Sequence, residues 1–265
     1  MLSIVTINFN NKSGLAKTIE SVINQHYKEV EYIIIDGGST DGSVELIESY
    51  KDHLKYWHSE KDNGIYNAMN IGLSKASQEY VLFLNSGDSL YNNEVLETIQ
   101  PYFKAGAGII YGDLHKIRPS GKTLIRCFDG PVSFYTFFSQ RSLPHPSSFI
   151  RRGLLLQTGG FDEDMKLASD MKFFAEAAIV LQCTLQYVPL LVTIFPLDGA
   201  SAGEEAQIII RNEFQTYLKT RFPLLYDDYV RFSDTNRRYK KLVSNPLIIA
   251  LLKVAKKSGF MKGNF

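Results

Sequence analysis

Short apolar runs alternate with amphipathic segments through the amino-terminal third of the chain, and this alternation constrains the fold most strongly. The apolar runs are Leu2–Asn8, Val30–Ile35, Leu54–Ser59 and Tyr80–Leu84. Each is too short to cross a membrane and is typical of a strand buried on both faces. The first intervening segment places Leu15, Ile19 and Val22 on one helical face, after a cap at Asn11 or Ser13. Strands that alternate with helices form right-handed βαβ units, so the sequence predicts an α/β fold with a mostly parallel sheet.

Composition narrows the class of protein. The chain has 265 residues, of which 45% are hydrophobic and 22% charged, as in ordinary globular proteins. A net charge of +1 gives no reason to expect a nucleic-acid partner. Cys127 and Cys183 lie outside any metal-binding spacing and predict reduced thiols. With no signal-peptide pattern before the first strand and no apolar run of transmembrane length, we expect a cytoplasmic protein.

Three carboxylates follow apolar strands and are candidates for chemistry. They are Asp36, Asp62 and Asp88. Because the carboxyl ends of parallel strands meet at one edge of a sheet, these side chains should converge. Converging negative charges need a cation or ligand donors, and Mg²⁺ or Mn²⁺ often bridges a carboxylate to substrate phosphates. The alternative for Asp88 is a cap on the helix that starts near Asn92.

Two common phosphate-binding motifs are excluded. The dinucleotide fingerprint requires its glycines after the first strand, whereas Gly37, Gly38 and Gly42 follow the second. A P-loop requires a glycine five positions before Gly121, and that position is Lys116.

Several segments in order resemble family 2 glycosyltransferases, the large inverting group of GT-A fold that uses nucleotide sugars. They are Ser3–Asn8, Asp36–Gly42, Ser59–Asn70, Phe83–Asp88, His145–Phe149 and Ala168–Asp170. The set spans roughly residues 2 to 175 and is specific in combination. The Leu-Asn-Ser-Gly-Asp form and the loop at Gly199–Ser201 are similar to those of exopolysaccharide transferases of the colanic-acid type.

The resemblance implies a role for particular residues. Thr6 and Asn8 would line the nucleotide pocket, Asp36 would accept a hydrogen bond from the base, and Asp62 and Gly64 would border the nucleotide. Asp88 matches the last aspartate of the family's metal motif, and Asp170 matches its general base.

The mechanism follows from the chemistry of the transfer. An acceptor hydroxyl needs a base as it attacks the anomeric carbon, and Asp170 would take that proton. A metal would stabilise the departing diphosphate, and attack opposite the leaving group inverts the anomer. Many relatives have aspartate at the position of Asn85, so this chain offers one charged metal ligand instead of two. The alternative for Asp170 is a helix N-cap.

Other signals are weaker. Asp113, at a strand end, and His145, between two prolines, could contact the acceptor or donor sugar, and His145 could also be structural or bind metal. Residues 1–222 are predicted to form the GT-A domain, with a nucleotide-binding half (1–113) and an acceptor half (114–222). Residues 223–265 are predicted to form a basic helical extension. Within it, Pro246–Lys257 could lie on an anionic membrane, which would suit a lipid-linked acceptor, or pack on the domain.

The sequence therefore predicts a cytoplasmic glycosyltransferase that moves a sugar to a lipid-linked glycan in surface polysaccharide synthesis. One alternative is a sugar-nucleotide pyrophosphorylase, which needs a glycine-rich basic loop after the first strand. Asn8–Lys12 does not supply that loop. The other is a non-catalytic nucleotide-sugar-binding module, an interpretation that Asn85 favours.

Overall fold

The chain is built on one mixed β-sheet with helices packed against it. The computed structural model describes residues 1–139, 141–246 and 248–249. The chain divides into two compact units, Met1–Thr216 and a second that begins at Tyr217. The sheet belongs to the first unit.

The sheet contains nine strands in the described part of the chain. They are β1 (Leu2–Asn8), β2 (Val30–Asp36), β3 (Tyr56–Ser59), β4 (Tyr80–Phe83), β5 (Ser89–Leu90), β6 (Ile109–Ile117), β7 (Thr123–Arg126), β8 (Ser148–Arg151) and β9 (Leu185–Pro196). Their order is β3-β2-β1-β4-β8-β6-β9-β5, and β7 pairs with β6.

The amino-terminal half of the sheet is parallel, as predicted. β1 pairs in parallel with β2 and β4, and β2 pairs in parallel with β3. The remainder is mixed, because β8 runs antiparallel to both β4 and β6, β5 runs antiparallel to β9, and β6 and β7 form an antiparallel hairpin. The α/β class is confirmed, and the sheet is mixed rather than purely parallel.

The described residues also form helices, of which α9 belongs to the second unit. They are α1 (Lys12–Ile23), α2 (Ser43–Ser49), α3 (Ile65–Lys75), α4 (Val95–Phe103), α5 (Phe134–Phe138), α6 (Arg152–Gln157), α7 (Ser169–Ala175), α8 (Glu204–Arg221) and α9 (Pro223–Val243). A π-helical turn, Glu176–Val180, continues α7.

The core explains why the apolar runs became central strands. Side chains of α1, including Leu15 and Ile19, pack with Ile34 and Leu82 of the sheet in one buried cluster. Asn11 caps α1, because its side chain accepts a hydrogen bond from the Gly14 amide at 3.1 Å. The predicted cap at Asn11 is therefore confirmed.

Helix α3 lies unusually close to the sheet. A Cβ placed on Gly72 would approach a Val5 methyl carbon to 2.3 Å. Only glycine fits at this approach, and the fit fixes α3 over β1 and β2, where its side chains can reach the site.

No helix in the described residues has both the length and the apolar character needed to cross a bilayer. Most of the predicted membrane-surface stretch, Pro246–Lys257, lies outside the described residues.

Candidate active site

Asp36 is the most heavily bonded carboxylate at the rim of the parallel strands. It is fully buried and is paired in register with Asn8 of β1 and Ser59 of β3. Its Oδ1 accepts hydrogen bonds from Asn8 Nδ2 at 2.7 Å and from Ser39 Oγ at 2.6 Å. Its Oδ2 accepts from Ser59 Oγ at 2.7 Å and from the backbone amides of Gly38 and Ser39 at 3.2 and 2.8 Å.

These donors determine the charge of Asp36. Burial by itself disfavours the carboxylate, but the bonds from Ser39, Asn8 and Ser59 outweigh burial and lower the Asp36 pKa. Because protein donors occupy both oxygens, Asp36 orders the glycine-rich turn. A hydrogen bond that Asp36 accepts from a nucleobase stays a prediction, and it would require exchange of one of these donors.

Asn8 and Thr6 differ in what they can offer a ligand. The Asn8 side chain is buried, and its Oδ1 has no hydrogen-bond partner. A buried acceptor without a partner costs free energy, so a ligand N–H at this position would be stabilised. Thr6 is fully buried, and its hydroxyl donates to the Leu84 carbonyl at 2.8 Å. Thr6 therefore links β1 to the strand that leads to Asp88, and its predicted contact with a nucleotide is untested.

Asp62 reaches back to the glycine-rich turn. Its Oδ1 accepts a hydrogen bond from the Gly64 amide at 2.9 Å. Its Oδ2 lies 2.7 Å from the position that a Cβ on Gly37 would occupy. The absence of a side chain at Gly37 thus makes room for the Asp62 carboxylate beside the Asp36 turn, as the convergence of strand ends predicted.

Asp88 lies past the end of β4 and is 6% exposed. Burial is the main reason that its pKa is raised to about 7, and the charge of Asp198 adds to the rise. His145 and the Asn85 amide act in the opposite direction. The capping alternative for Asp88 is wrong, because the N-cap of α4 is Glu94.

The loop that carries Asp88 is suited to a hard cation. Asn85 Oδ1 is buried and has no hydrogen-bond partner. A carboxylate that resists ionisation and a neighbouring orphaned amide oxygen are both stabilised by a divalent cation. No cluster of three His, Cys, Asp or Glu residues with metal-binding geometry occurs in the described part of the chain. The two-residue donor set fits a cation that takes its other ligands from phosphate oxygens and water.

Asp170 lies in the first turn of α7, and its carboxylate contacts two other elements. Tyr66 of α3 donates its hydroxyl to Asp170 Oδ1 at 3.1 Å, and His145 Nδ1 lies 3.5 Å from Asp170 Oδ2. The N-cap alternative is wrong, because Ala168 occupies the N-cap position. Burial and the negative charge of Asp170 raise the Tyr66 pKa well above its ordinary value, which keeps the phenol protonated as a donor.

His145 connects Asp170 to the loop of Asp88. Its Nε2 lies 3.4 Å from Asn85 Nδ2, while its Nδ1 faces Asp170. Burial lowers the His145 pKa, but the contact with Asp170 and the charge of Asp88 raise it by more, so that the net shift is upward. The predicted base and the predicted cation loop therefore meet across one imidazole ring.

Helix α3 also supports the loop that leads to α7. Asn70 exchanges two hydrogen bonds with the backbone of Phe161, each 2.8 Å long. Asn67 and Asn70 donate to the two carboxylate oxygens of Glu163 at 2.8 and 2.7 Å. The motif Ser59–Asn70 thus has a physical purpose, because it holds the approach to Asp170.

Glu213 of α8 clamps the same loop from another direction. One carboxylate oxygen accepts from the Lys166 amide at 2.7 Å, and the other accepts from the amides of Leu167 and Ala168 at 3.0 and 3.1 Å. These three successive amides immediately precede α7. The sequence gives no local signal for this contact, because Glu213 resembles any polar position on an amphipathic helix.

Asp113 is not joined to this cluster by any contact that we observe among the described residues. Its carboxylate accepts from the Tyr187 hydroxyl at 3.0 and 3.1 Å and from the Phe128 amide at 3.1 Å. Its carbonyl accepts from Ser147 Oγ at 3.2 Å, two residues after His145. Asp113 thus braces the His145 segment, and its predicted contact with a sugar is untested.

Phe9 is a candidate that sequence reasoning missed. It follows Asn8 directly at the end of β1, and 64% of its surface is exposed. An exposed aromatic ring one residue after an unpaired acceptor suits a nucleobase, which offers both a flat surface and N–H donors. The available signal was its position, one residue past a central strand.

The fold and this cluster define a glycosyltransferase of the GT-A type. The glycosyl transferase family 2 model matches residues 3–154. The chain therefore belongs to glycosyl transferase family 2, and the predicted resemblance is confirmed.

Curated relatives agree with this assignment. The chain is 29% identical over 243 residues to an uncharacterised glycosyltransferase of Mycobacterium tuberculosis, covering 90% of this chain and 85% of that protein. It is 26% identical over 260 residues to a PGL/p-HBAD biosynthesis glycosyltransferase of Mycobacterium bovis, covering 94% of each.

Solved structures share the fold. S. aureus TarS 1–349 in complex with UDP-GlcNAc matches with a TM-score of 0.65 at 20% identity, over 82% of this chain and 66% of that one. The mannosyltransferase PcManGT from Pyrobaculum calidifontis, in complex with GDP-Man and Mn²⁺, matches with a TM-score of 0.63 at 15% identity. The match covers 98% of this chain and 81% of PcManGT.

Proposed function

We propose that this glycosyltransferase moves one sugar, with inversion, from a nucleoside-diphosphate sugar to a hydroxyl of a lipid-linked oligosaccharide used in surface polysaccharide synthesis. The observation that carries the proposal is the contact of His145 with both Asp170 and Asn85. It brings a carboxylate suited to proton removal close to a loop suited to a cation and a diphosphate.

The donor is proposed to bind along the carboxyl ends of β1, β2 and β4. Phe9 would stack on the base, the orphaned Asn8 Oδ1 would accept a base N–H, and Asp62 would border the nucleotide with Gly64. The Asp36 network would keep the glycine-rich turn in place. Relatives of the same fold bind UDP-GlcNAc and GDP-Man, so both nucleotides are reasonable first probes.

A divalent cation, Mg²⁺ or Mn²⁺, is proposed to be held by Asp88 and Asn85. When bound, it would neutralise charge on the departing diphosphate. The match with PcManGT, whose structure contains Mn²⁺, supports this assignment.

The transfer is proposed to depend on Asp170 as the base. The acceptor oxygen bonds to the anomeric carbon while its proton passes to Asp170, and the bond from that carbon to the diphosphate oxygen breaks. Tyr66 contacts one carboxylate oxygen and His145 the other, which fixes the orientation of the carboxylate, and a further lone pair on either oxygen accepts the proton. Attack from the side opposite the diphosphate inverts the configuration.

Asp170→Asn tests the proposal. We expect this variant to bind the same nucleotide diphosphate as the unmodified protein, measured by thermal shift with and without Mn²⁺, and to lose transfer by on the order of a thousandfold. Asp164→Asn is the matched control, because Asp164 is exposed in the loop that precedes α7. Transfer that survives in Asp170→Asn would refute the assignment of the base.

The alternatives make different predictions for this experiment. A non-catalytic module would bind nucleotide and show no transfer in the unmodified protein. A pyrophosphorylase would release pyrophosphate from a nucleoside triphosphate and a sugar phosphate. The short connection between β1 and α1, residues 9–11, leaves no room for the basic loop that such an enzyme requires.

The second unit is proposed to contact the cytoplasmic face of the membrane. On α9, Leu225, Phe232 and Tyr239 recur every seven residues and are exposed. The same helix carries four basic residues near its end, Arg237, Arg238, Lys240 and Lys241. An exposed apolar stripe beside basic residues favours an anionic lipid surface. We expect flotation with vesicles that contain anionic lipid and not with neutral vesicles, and equal behaviour in both would refute this part.

A further inference from the structure

The β6–β7 hairpin presents two cations on one face. Leu114 is paired with Arg126 and Lys116 with Leu124 across the antiparallel ladder. Residues that are directly opposite share a face, and so do residues two apart on one strand. Lys116, Leu124 and Arg126 therefore lie on the same face.

These cations are partly buried but lack carboxylate partners. Among the described residues, no Asp or Glu oxygen lies within ion-pair distance of Lys116, Arg126 or the nearby Arg141. Burial lowers the pKa of both Lys116 and Arg126. Repulsion from Arg126 lowers the Lys116 pKa further, and repulsion from Arg141 lowers the Arg126 pKa further. Partly buried charges are ordinarily paired, so a site of this kind is stabilised when an anion enters it.

The surroundings of the cations are apolar. Lys116 Nζ lies 5.5 Å from the centre of the Phe195 ring, and the Arg126 guanidinium lies 4.7 Å from that of Phe128. Leu124, directly opposite Lys116, is 53% exposed. The face therefore combines positive charge with exposed hydrocarbon, which is complementary to an amphiphile that has an anionic head and an apolar tail.

The hairpin is also connected to the candidate active site. β9 pairs with β6 beside Lys116, and the Leu197 amide donates to the Ile117 carbonyl at 2.8 Å just after β9 ends. The next residue, Asp198, is close enough to raise the pKa of Asp88 by its charge. The chain therefore runs directly from the strand beside Lys116 to a residue whose charge acts on the proposed cation loop.

We propose that Lys116 and Arg126, assisted by Arg141, bind the phosphate or diphosphate of the lipid-linked acceptor, and that Leu124 contacts the first part of its hydrocarbon chain. This assignment rests on the proposed function and specifies how the acceptor is recognised. The donor diphosphate is assigned to the Asp88 loop, so the two anions occupy separate places.

Isothermal titration calorimetry with farnesyl diphosphate, below its aggregation concentration, tests the assignment on the full chain. We expect Lys116→Gln and Arg126→Gln each to weaken binding by tenfold or more. Lys122→Gln, at the exposed hairpin tip, is the matched control and should change binding less than twofold. Affinity for UDP or GDP should be unchanged in all three variants.

Other probes separate the possible sources of the anion. Inorganic pyrophosphate should bind more weakly than farnesyl diphosphate, and farnesol should not bind measurably. A parallel loss of UDP or GDP affinity in Lys116→Gln and Arg126→Gln would assign the cations to the donor and overturn the proposal. The proposal would also be overturned if the unmodified protein did not bind farnesyl diphosphate, or if all variants bound it equally. Neither result would bear on the proposed transfer, which the nucleotide-binding and transfer assays test separately.

Each glutamine variant keeps much of the aliphatic stem, and thermal melts check that each folds. If Lys116→Gln fails to fold, Arg126→Gln still decides the outcome, together with the salt dependence of binding by the unmodified protein. Binding of farnesyl diphosphate that does not weaken as salt is raised would contradict recognition by two cations.

Discussion

Replacing Asp88 by asparagine should stabilise the metal-free fold and, at the same time, lower transfer. The Asp88 pKa is raised from 3.8 to about 7, chiefly by burial. At 1.36 kcal/mol per pKa unit, holding the carboxylate ionised costs about 4 kcal/mol in order of magnitude. The folded state binds this proton more tightly than the unfolded state, so protonation of Asp88 stabilises the fold. This contribution to the unfolding free energy is complete below pH 3.8 and is lost as the pH rises through 7.

The size of the effect can be followed between pH 5 and pH 8. Linkage with these two pKa values gives a loss of about 2.5 kcal/mol in the unfolding free energy of the unmodified protein over that range. Asp88→Asn has no such proton to lose. Between pH 5 and pH 8, the unfolding free energy of Asp88→Asn should therefore rise relative to that of the unmodified protein by about 2.5 kcal/mol.

Urea denaturation in a chelating buffer at both pH values provides the measurement. Asp52→Asn, an exposed substitution, controls for the general effect of removing one negative charge. Adding Mn²⁺ at pH 8 should restore stability to the unmodified protein but not to Asp88→Asn, and transfer should fall on the order of a hundredfold in the variant. The same pH dependence in Asp88→Asn and the unmodified protein would refute the argument from burial.

Three further substitutions test the support of the site. Tyr66→Phe removes a hydrogen bond to a carboxylate, so kcat should fall about tenfold while the KM for the donor changes little, and an equal change in both would argue against a role in orienting Asp170. Glu213→Ala leaves three backbone amides unpaired, which should lower the unfolding free energy measured in urea by about 3 kcal/mol and also lower kcat. Glu213→Gln keeps one acceptor oxygen and should recover part of the stability and part of kcat. Asp36→Asn should cost about 2–4 kcal/mol at pH 7. The folded Asp36 pKa is lowered, so this difference is present above pH 3.8 and should disappear as the pH falls through the folded value. A difference that persists in acid would contradict the role of its charge.

The parallel half of the sheet could be predicted because its signals are local. Apolar runs such as Tyr80–Leu84 end at polar loops, and a cap such as Asn11 lies within three residues of its acceptor partner. For these features, sequence neighbours are also spatial neighbours, so periodicity and capping are sufficient.

The support around Asp170 could not be predicted from the residues alone, because its contacts join distant parts of the chain. Tyr66, His145 and Glu213 lie on three different elements, and nothing in their local patterns specifies that they meet near α7. The antiparallel insertion of β8 between β4 and β6 brings His145 to Asn85. A sequence pattern can predict where strands occur but not their order in the sheet. It is this strand order that brings Asn85, His145 and Asp170 together.

The hydrogen bonds between Glu213 and the amides of residues 166–168 affect the design of chimeras between this chain and its relatives. The family 2 match ends at residue 154, so a junction placed there would seem natural for exchanging acceptor preference. A junction between Ala168 and Glu213 would instead combine residues 166–168 of one parent with α8 of the other. The three backbone amides would then face whatever side chain the other parent has at position 213. Moving residues 155–216 as one cassette keeps both halves of this contact from a single ancestor.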